Sequence, residues 1–375
     1  MTGRGGPFGG QYKGLRVLVT GHTGFKGSWL SLWLTDLGAQ VVGYALDPPT
    51  DPSAFESMRL GERVTDVRGD VRDADALGAV MREHEPEAVF HLAAQPLVRA
   101  SYEDPCLTYE TNVMGTVTML EAVRRTPGVR AVVNVTSDKC YENREWVYAY
   151  REVDPMGGFD PYSSSKGCAE LVTSAYRSSF FSADGSPLLA SVRAGNVIGG
   201  GDWAVDRVVP DCARAMLAGE DVRLRNPRAV RPWQHVLEPL SGYLWLGARL
   251  LAGERDLACA WNFGPGMLGN VTVETLARAF IRAWGKGGLR IEPGTSGEPH
   301  EAAILKLDVT KAVDVLGWQP VWEIERAVEA TAEWYRAFAD RAGDLVLRSL
   351  DQIDEYTVEA ARRGIAWSLE GSMER

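Results

Sequence analysis

The sequence predicts an α/β protein built on a doubly wound parallel sheet, with a smaller mixed α/β lobe attached to it. Short β-branched runs alternate with helix-length segments through the first half of the chain, and a glycine-rich turn joins the first run to the first helical segment. Beyond Arg193, Gly- and Pro-containing stretches divide the chain into shorter pieces. Strand–helix alternation favours a parallel sheet with helices on both faces. A chain of 375 residues is long enough for such a sheet and a second lobe.

The predicted elements follow one another regularly from residue 16. Buried strands are expected at 16–20, 41–44, 88–91 and 131–135. Helices of crossover length are expected at 26–38, 73–84, 105–126 and 161–182. An amphipathic helix is expected at about 322–340, and helical patterning without a chemical signature continues over the rest of the chain.

Composition and charge exclude several classes of protein. The 45% hydrophobic and 24% charged content is typical of a soluble globular protein, and the net charge of -10 argues against a general nucleic-acid binder. The five cysteines form no CxxC pair and no zinc-ligand spacing, so we expect reduced thiols and no metal. The polar, Gly-rich N-terminus lacks the apolar core of a signal peptide, and no apolar run approaches the roughly 20 residues that span a bilayer. We therefore expect a cytoplasmic protein.

A glycine-rich turn lies between the first strand and the first helix. Its glycines are spaced GxxGxxG, which permits a tight turn and lets backbone N–H groups approach a pyrophosphate. In this position the motif predicts a dinucleotide site in a Rossmann-type domain. The residues of the turn expected to contact the cofactor are Gly21, Thr23, Gly24, Phe25, Lys26 and Gly27.

Two further carboxylates are candidates for the same site. Asp47 follows the second strand, where a carboxylate would accept from a ribose 2′-OH and repel a 2′-phosphate, so NAD is favoured over NADP. Asp47 could instead simply begin the Asp-Pro-Pro turn. Asp70 and Val71, after the third strand, could hold the adenine edge or could equally mark the start of a helix.

The pair Tyr162 and Lys166 carries the clearest catalytic pattern. A spacing of four residues places the phenol and the ammonium on one face of a helix. A nearby cation is expected to lower the pKa of the tyrosine, so that it can take a hydroxyl proton as hydride leaves for NAD. Lys166 taken alone could be a solvated helix lysine.

Ser137, Asp138 and Lys139 come at the carboxyl end of a predicted strand, where ligands bind in α/β proteins. Separately, Ser137 could cap a turn, and Asp138 and Lys139 could form a surface ion pair. Their position after a strand favours a catalytic role in concert with Tyr162.

With these motifs in place, the sequence resembles the extended short-chain dehydrogenases/reductases and, among them, the nucleotide-sugar 4,6-dehydratases of the CDP type. The resemblance covers about residues 14–340. It rests on the strings GHTGFKGSW at 21–29, HLAAQP at 91–96, TSDKCY at 136–141, DPY at 160–162, RAGNVIGGGDW at 193–203 and RPWQHV at 231–236. One departure is the serine run at 163–165, where the family often has Asn in the middle.

The resemblance implies a reaction and a role for each catalytic residue. Tyr162 would take the proton of the sugar 4-hydroxyl as hydride passes to NAD, with Ser137 holding the 4-oxygen. Related dTDP-sugar enzymes use a Thr-Asp-Glu triplet, which corresponds here to Ser137, Asp138 and Lys139. Asp138 would be the acid for the departing 6-hydroxyl and Lys139 the base at C5. A lysine base must be neutral when it acts, a state that burial and Lys166 would favour.

The resemblance also implies binding residues, a domain division and an assembly. It adds Leu92, Ala93 and Ala94 to the cofactor site. CDP-glucose is the implied substrate, and its expected contacts are Gln95, Asn196, Arg207, Arg225, Arg231 and His235. Each arginine could instead be a solvated loop charge, and Trp233 could either stack on the base or lie in the core. The NAD-binding domain is expected at 14–195 with returning segments near 233–263, the sugar-nucleotide lobe at 196–232 and 264–340, and a helical tail at 341–375. A homodimer through the helices at 105–126 and 161–182 is implied, although their apolar residues could be ordinary core.

Two other functions compete with this interpretation. A nucleotide-sugar 4-epimerase would use the same Tyr–Lys pair but needs neither an acid for a 6-hydroxyl nor a base at C5, so Asp138 and Lys139 discriminate. A non-catalytic NAD-binding protein would be expected to lack Tyr162 or Lys166. The nucleotide of the substrate could also differ from CDP.

Overall fold

A computed structural model describes residues 6–266, 269–292, 304–341 and 343–369. The strands are β1 (Arg16–Thr20), β2 (Gln40–Ala45), β3 (Thr65–Arg68), β4 (Ala88–His91), β5 (Ala131–Val135), β6 (Leu188–Ala194), β7 (Val197–Ile198), β8 (Val222–Leu224), β9 (Val230–Pro232), β10 (Gln234–His235), β11 (Ala260–Phe263), β12 (Asn270–Thr272) and β13 (Leu289–Ile291). The α-helices are α1 (Phe25–Asp36), α2 (Ala54–Ser57), α3 (Ala74–His84), α4 (Val98–Glu103), α5 (Pro105–Tyr109), α6 (Gly115–Arg125), α7 (Pro161–Ser179), α8 (Val208–Ala218), α9 (Leu237–Leu251), α10 (Val273–Trp284), α11 (Thr310–Asp314), α12 (Ile324–Ala339) and α13 (Leu345–Arg362).

The central sheet of the described chain has seven parallel strands in the order β11-β6-β5-β4-β1-β2-β3. The strand order reverses beside β1, which pairs with β2 on one side and β4 on the other. A crevice opens outside the carboxyl ends of the strands at such a point, and ligands of open α/β sheets bind there. The predicted doubly wound parallel sheet is confirmed.

Both faces of this sheet are covered by apolar layers. Val17 and Val19 of β1 belong to the larger core, which includes α1, α9 and α12, whereas Leu18 between them belongs to a second core with α3 and α6. Strands buried on both faces therefore appear in the sequence as continuous apolar runs. The exception is β3 at the sheet edge, whose residues are mostly exposed and polar, so no apolar run marks it.

The helix expected at 105–126 is irregular. Helices α5 and α6 are joined by a π-helical turn at Glu110–Met114, which places an extra residue in one turn and re-aims Asn112 into the interior. Irregular turns of this kind are frequent at functional sites. The helix expected at 161–182 ends three residues earlier, at Ser179, and the one expected at about 322–340 is α12.

The remaining strands pair outside the central sheet, with β12 antiparallel to β9 and β13 parallel to β8. Helix α13 packs against α12 and α1, and Trp367 beyond it stacks on Phe8 at 4.9 Å between ring centroids. The residues after α12, for which the sequence showed helical patterning but no chemical signature, thus belong to the core that packs on α1. Among the described residues, no helix is both long and apolar enough to cross a membrane.

Candidate active site

The glycine turn packs directly against the segment that follows β4. Gly21 has a φ of +76°, and a side chain there would put Cβ 2.7 Å from the backbone nitrogen of Ala93. A Cβ on Gly27 would lie 2.1 Å from the carbonyl oxygen of Gly21. Both positions therefore require glycine. The N–H groups of Leu92 and Ala93 donate to the hydroxyl of Thr20 at 3.2 Å, which holds the two loops together.

The start of α1 is prepared for an anion. Gly24 is its N-cap residue and supplies no side-chain cap, so the first-turn N–H groups of α1 have no side-chain acceptor within the described ranges. The partial positive charge and the free donors of a helix N-terminus favour a phosphate group. Thr23 is turned away, donating its hydroxyl to the carbonyl oxygen of Leu46 at 2.9 Å. The geometry of this turn fits the pyrophosphate of a dinucleotide.

Lys26, in the same turn, lies between the glycine loop and the end of β5. Burial lowers the pKa of Lys26 to about 8, and Arg207 adds to that effect, while Asp138 opposes it. The charge of Lys26 also acts on Lys166. Lys26 is therefore part of the glycine turn, and its charge also acts on the catalytic groups Asp138 and Lys166.

The two carboxylates proposed for the cofactor differ in availability. Asp47 projects into solvent with 93% of its side chain exposed, and its carboxylate lies 3.5 Å from the guanidinium of Arg68. Asp70 is bound by the guanidinium and the backbone N–H of Arg72, whose hydrogen bonds lower the pKa of the Asp70 carboxyl. The alternative of Asp70 as a helix-start signal is wrong, because Asp73 caps α3.

A shallow cavity of about 360 Å³ opens beside Asp70. It is lined by Asp70, Arg72, Asp73, Glu110 and Met114. Val71 does not line this cavity; it is buried and packs against Gly115, so it offers little surface to a ligand.

Tyr162 and Lys166 are both buried on the first turns of α7, which begins at Pro161 with Asp160 as its cap. The predicted lowering of the tyrosine pKa is wrong for this structure. Burial raises the pKa of Tyr162 to about 12, and the hydrogen bond of Ser137 opposes that rise without cancelling it. The ammonium of Lys166 is instead directed at the carbonyl oxygen of Val135, at 3.5 Å. Burial, then Lys26, lowers the pKa of Lys166 to about 8.

The segment after β5 forms a single 3₁₀ turn at Asp138–Cys140. Ser137 caps this turn by accepting from the N–H of Lys139 at 3.2 Å, and its hydroxyl donates to Oδ1 of Asp138 at 3.0 Å. Asp138 is buried, and its Oδ2 has no hydrogen-bond partner in the described part of the chain. Burial raises the pKa of the Asp138 carboxyl, although Lys139, Ser137 and Lys26 all oppose the rise. A surface ion pair is therefore the wrong description of Asp138 and Lys139.

Sequence reasoning missed Asn112, which connects the catalytic helix to the loop after β4. Its amide donates to the hydroxyl of Ser165 at 2.8 Å and to the carbonyl oxygen of Gln95 at 3.1 Å, while it accepts from the N–H of Gln95. No sequence signal marks this residue, because its inward direction depends on the π-helical turn. The side chain of Gln95 is itself occupied with Leu97 and Thr108, so it stabilises the loop.

The expected substrate residues are spread along one side of the site. Arg207 pairs with Asp202 at 3.0 Å and its charge acts on Tyr162, and the charge of Arg231 acts on Asp138. Arg225 pairs with Asp206 at 2.8 Å, and Arg99, which the sequence did not single out, lies 3.8 Å from the same carboxylate. Asn196 follows β6, and its carbonyl oxygen accepts from the N–H of Gln234 at 3.1 Å.

His235 was wrongly assigned to the substrate. It is 0% exposed, and its ring lies between Trp29, 5.9 Å away, and Trp322, 4.9 Å away. Burial, with Arg326, lowers the pKa of His235 to about 3, which keeps the imidazole neutral. A residue without accessible surface cannot contact a ligand. Trp233 is likewise buried, which favours the core alternative for it.

The model of the family described as GDP-mannose 4,6 dehydratase matches residues 18–249, more than half of the chain. The chain belongs to this family of NAD-dependent nucleotide-sugar 4,6-dehydratases within the extended short-chain dehydrogenases/reductases. It is 52% identical over 355 residues to a curated CDP-glucose 4,6-dehydratase of Salmonella typhimurium, an alignment that covers 94% of this chain and 98% of that protein.

More distant relatives include both reactions considered from the sequence. A UDP-glucose 4-epimerase of Mycolicibacterium smegmatis is 31% identical, with 86% of this chain and 99% of that protein covered. The crystal structure of a dTDP-glucose 4,6-dehydratase from Streptomyces venezuelae, solved with NAD bound, superposes with a TM-score of 0.73 at 26% identity, covering 88% of this chain and 100% of that chain. The predicted class of enzyme and NAD as its cofactor are confirmed by these comparisons.

Proposed function

We propose that the protein converts CDP-glucose to CDP-4-keto-6-deoxyglucose and water, in a cycle that leaves NAD unchanged. The observation that carries the proposal is the buried, partly unpartnered Asp138 beside Ser137, at the same strand end as Tyr162 and Lys166. Oxidation at C4 requires only the tyrosine–lysine pair, so the additional acid favours elimination. The identity of 52% to a CDP-glucose 4,6-dehydratase supports the nucleotide.

The glycine turn and the N-terminus of α1 would hold the dinucleotide pyrophosphate, and Asp47 would accept from the ribose hydroxyls. When bound, NAD supplies an acceptor for the C4 hydride and later returns that hydride to C6. The carboxylate of Asp70 is bound to Arg72, so in this proposal Asp70 forms part of the wall of the cavity and does not bind the adenine through its carboxylate.

In the first step Tyr162 removes the proton of the C4 hydroxyl as the C4–H bond breaks, which leaves a 4-ketone. The phenol must be ionised to do this, and two neighbours favour its ionised form: the hydroxyl of Ser137 by hydrogen bonding and Arg207 by charge. The Lys166 ammonium lies one helical turn along the same face of α7 and remains mostly protonated at neutral pH. Ser137 holds the 4-oxygen together with Tyr162.

In the second step the ketone acidifies C5, and Lys139 removes the C5 proton. The C6–O bond breaks, and Asp138 gives its proton to the departing hydroxyl so that water leaves. The raised pKa of Asp138 suits a carboxyl that must be protonated before it acts. Lys139 would return a proton to C5, which together with the hydride regained at C6 would give the 4-keto-6-deoxy product.

The nucleotide lies, in this proposal, across Arg207, Arg225 and Arg231, with Asn196 at the end of β6. Guanidinium groups are suited to bidentate contacts with a pyrophosphate. The division into an NAD-binding domain at 14–195 and a sugar-nucleotide lobe at 196–232 and 264–340 is part of the same proposal. A cytoplasmic location stays a prediction.

The test is incubation of the purified protein with CDP-glucose, followed by product mass and by absorbance of reduced nicotinamide. Loss of one water per sugar with no net NADH is expected. An unchanged mass with inverted configuration at C4 would instead assign the chain to the epimerases. Conversion of another nucleotide-linked glucose, but not of CDP-glucose, would refute the CDP assignment alone.

We also propose a homodimer through α5, α7 and the π-helical turn. Met114 of the π-helical turn is 53% exposed, Leu171 of α7 is 60% exposed and Leu107 of α5 is 37% exposed. Apolar side chains grouped on one surface are typical of an interface. Light scattering should give twice the mass of the chain for the wild type, and Leu171→Arg should lower it. A wild-type mass equal to one chain would refute the dimer.

A further inference from the structure

A buried hydrogen-bond network lies directly beneath the 3₁₀ turn that carries Asp138 and Lys139. At its centre the carboxylate of Glu170 accepts two hydrogen bonds from Arg193, at 2.9 and 2.8 Å, and both side chains are 4% exposed. Glu170 also accepts from the hydroxyl of Ser191 at 2.7 Å and from the hydroxyl of Thr136. Every oxygen of this carboxylate is therefore occupied.

The network holds the catalytic turn at both of its ends. Thr136 directly precedes Ser137, and Tyr141 directly follows the turn. Arg193 donates to the phenol oxygen of Tyr141 at 2.6 Å, and the Tyr141 hydroxyl in turn donates to Asn262 of β11 at 2.8 Å. Thr136 and Tyr141, at the two ends of the turn, are thus hydrogen-bonded to the Glu170–Arg193 ion pair, which joins α7 to β6. Tyr141 also bonds to β11.

Glu170 also lies one turn beyond Lys166 on the same helix. The Glu170 carboxylate therefore connects α7, which carries the tyrosine–lysine pair, to the end of β5, which carries the acid and the base. Such relative placement matters, because a shift of about 1 Å at a reacting group lowers rates by about 10²-fold.

Stability alone is a weak reason to bury this ion pair. Replacing a buried ion pair by apolar groups is often neutral or stabilising, because desolvation offsets the attraction of the charges. Burial opposes ionisation of Glu170, but hydrogen bonds and charge from Arg193 hold its pKa below the usual range, so the carboxylate stays charged. A charged ion pair whose hydrogen bonds are all satisfied holds the segments that it joins in one relative geometry.

We infer that Glu170 and Arg193 are positioning residues, which act through Thr136 and Tyr141 to hold the acid–base turn against the tyrosine–lysine helix. The inference rests on the proposed dehydratase function for its kinetic consequences. It assigns the network to elimination more than to oxidation, because Thr136 immediately precedes Ser137, the cap of the turn that carries Asp138 and Lys139. The hydroxyl of Thr136 bonds to Glu170 and to the carbonyl oxygen of Val192, and not to Tyr162.

The decisive variant is Thr136→Val, which removes one hydroxyl and leaves the ion pair intact. Its matched control is Thr331→Val, a buried threonine of α12 whose hydroxyl donates to the carbonyl oxygen of Ala327 at 2.7 Å. Glu170→Gln has its own control in Glu238→Gln, a buried carboxylate that accepts from the N–H groups of Val321 and Trp322.

With CDP-glucose, Thr136→Val should lower kcat by about tenfold with little change in KM, and reduced nicotinamide should accumulate on the enzyme because elimination now limits turnover. Glu170→Gln should lower kcat by about 10²-fold in the same manner. The two controls should retain wild-type turnover. Equal loss of the oxidation and elimination rates in Thr136→Val, or a loss no larger than in Thr331→Val, would overturn the inference.

A second measurement separates this inference from the proposed function. Amide hydrogen exchange of residues 137–141 should be faster in Thr136→Val than in the wild type and unchanged in Thr331→Val, and it requires no substrate. A wild-type protein inert towards CDP-glucose and towards other nucleotide-linked glucoses would refute the proposed function, and the exchange result would still decide whether the network holds the turn. Unchanged exchange in both Thr136→Val and Glu170→Gln would refute the positioning role.

Discussion

Lowering the pH from 7 to 5 should destabilise the folded chain through His235, the histidine enclosed by Trp29 and Trp322. The folded imidazole is neutral, because burial lowers its pKa to about 3 from the ordinary 6.5. Its Nδ1 accepts from the N–H of Leu237 at 3.4 Å, and its Nε2 has no partner in the described ranges. Within those ranges, no hydrogen-bond acceptor therefore stabilises the protonated imidazole. Protonation therefore favours the unfolded chain.

The size of the effect follows from the two pKa values. A histidine whose folded pKa is lowered contributes stability above its unfolded pKa, and that contribution is lost as the pH falls through 6.5 towards 3. At pH 5 the unfolded imidazole is almost fully protonated and the folded one almost fully neutral. The free energy of unfolding should then be lower than at pH 7 by about 2 kcal/mol for this residue. His91, whose pKa burial also lowers to about 3, should add a similar loss.

Urea unfolding at pH 7, 6 and 5 measures this for the wild type and for His235→Gln. The variant should lose about 2 kcal/mol less than the wild type over that range, whatever its stability at pH 7. Tyr243→Phe is the matched control, since it removes a buried hydroxyl without a partner among the described residues but no group that titrates near neutral pH. Identical pH dependence in the wild type and His235→Gln would refute the argument.

Three further outcomes are expected. Gly27→Ala should abolish retention of NAD, because the new methyl group would lie 2.1 Å from a carbonyl oxygen of the turn. The control Gly266→Ala should retain NAD, since a Cβ there would have no atom within 4 Å. The measurement is the amount of bound dinucleotide per purified chain. Asp138→Asn should lower product formation by about 10²-fold or more while bound NADH appears, and wild-type product yield would contradict its role as the acid. The rate of C4 oxidation should rise with pH, because the pKa of Tyr162 is about 12 and its base form becomes more populated; a single-turnover rate independent of pH would contradict this.

Much of the fold and part of the site could be predicted from local sequence. The strands 16–20, 88–91 and 131–135 appear as continuous apolar runs because both sheet faces are covered, and each was placed at its observed bounds. The glycine turn could be predicted because its chemistry lies within seven consecutive residues. The same holds for Tyr162 and Lys166, whose spacing requires only a helix.

Other features depend on distant parts of the chain. The sequence by itself determined the alternation of elements, the glycine turn and the tyrosine–lysine pair, because a few neighbouring residues are enough to produce each of them. Only the tertiary structure decided that His235 is enclosed by aromatic rings, that Asp70 is bound to Arg72 and that the pKa of Tyr162 is raised. It also decided that Glu170 meets Thr136 beneath the catalytic turn. Burial and charge at a point are sums over every segment that packs around it, and no local stretch of sequence contains those neighbours.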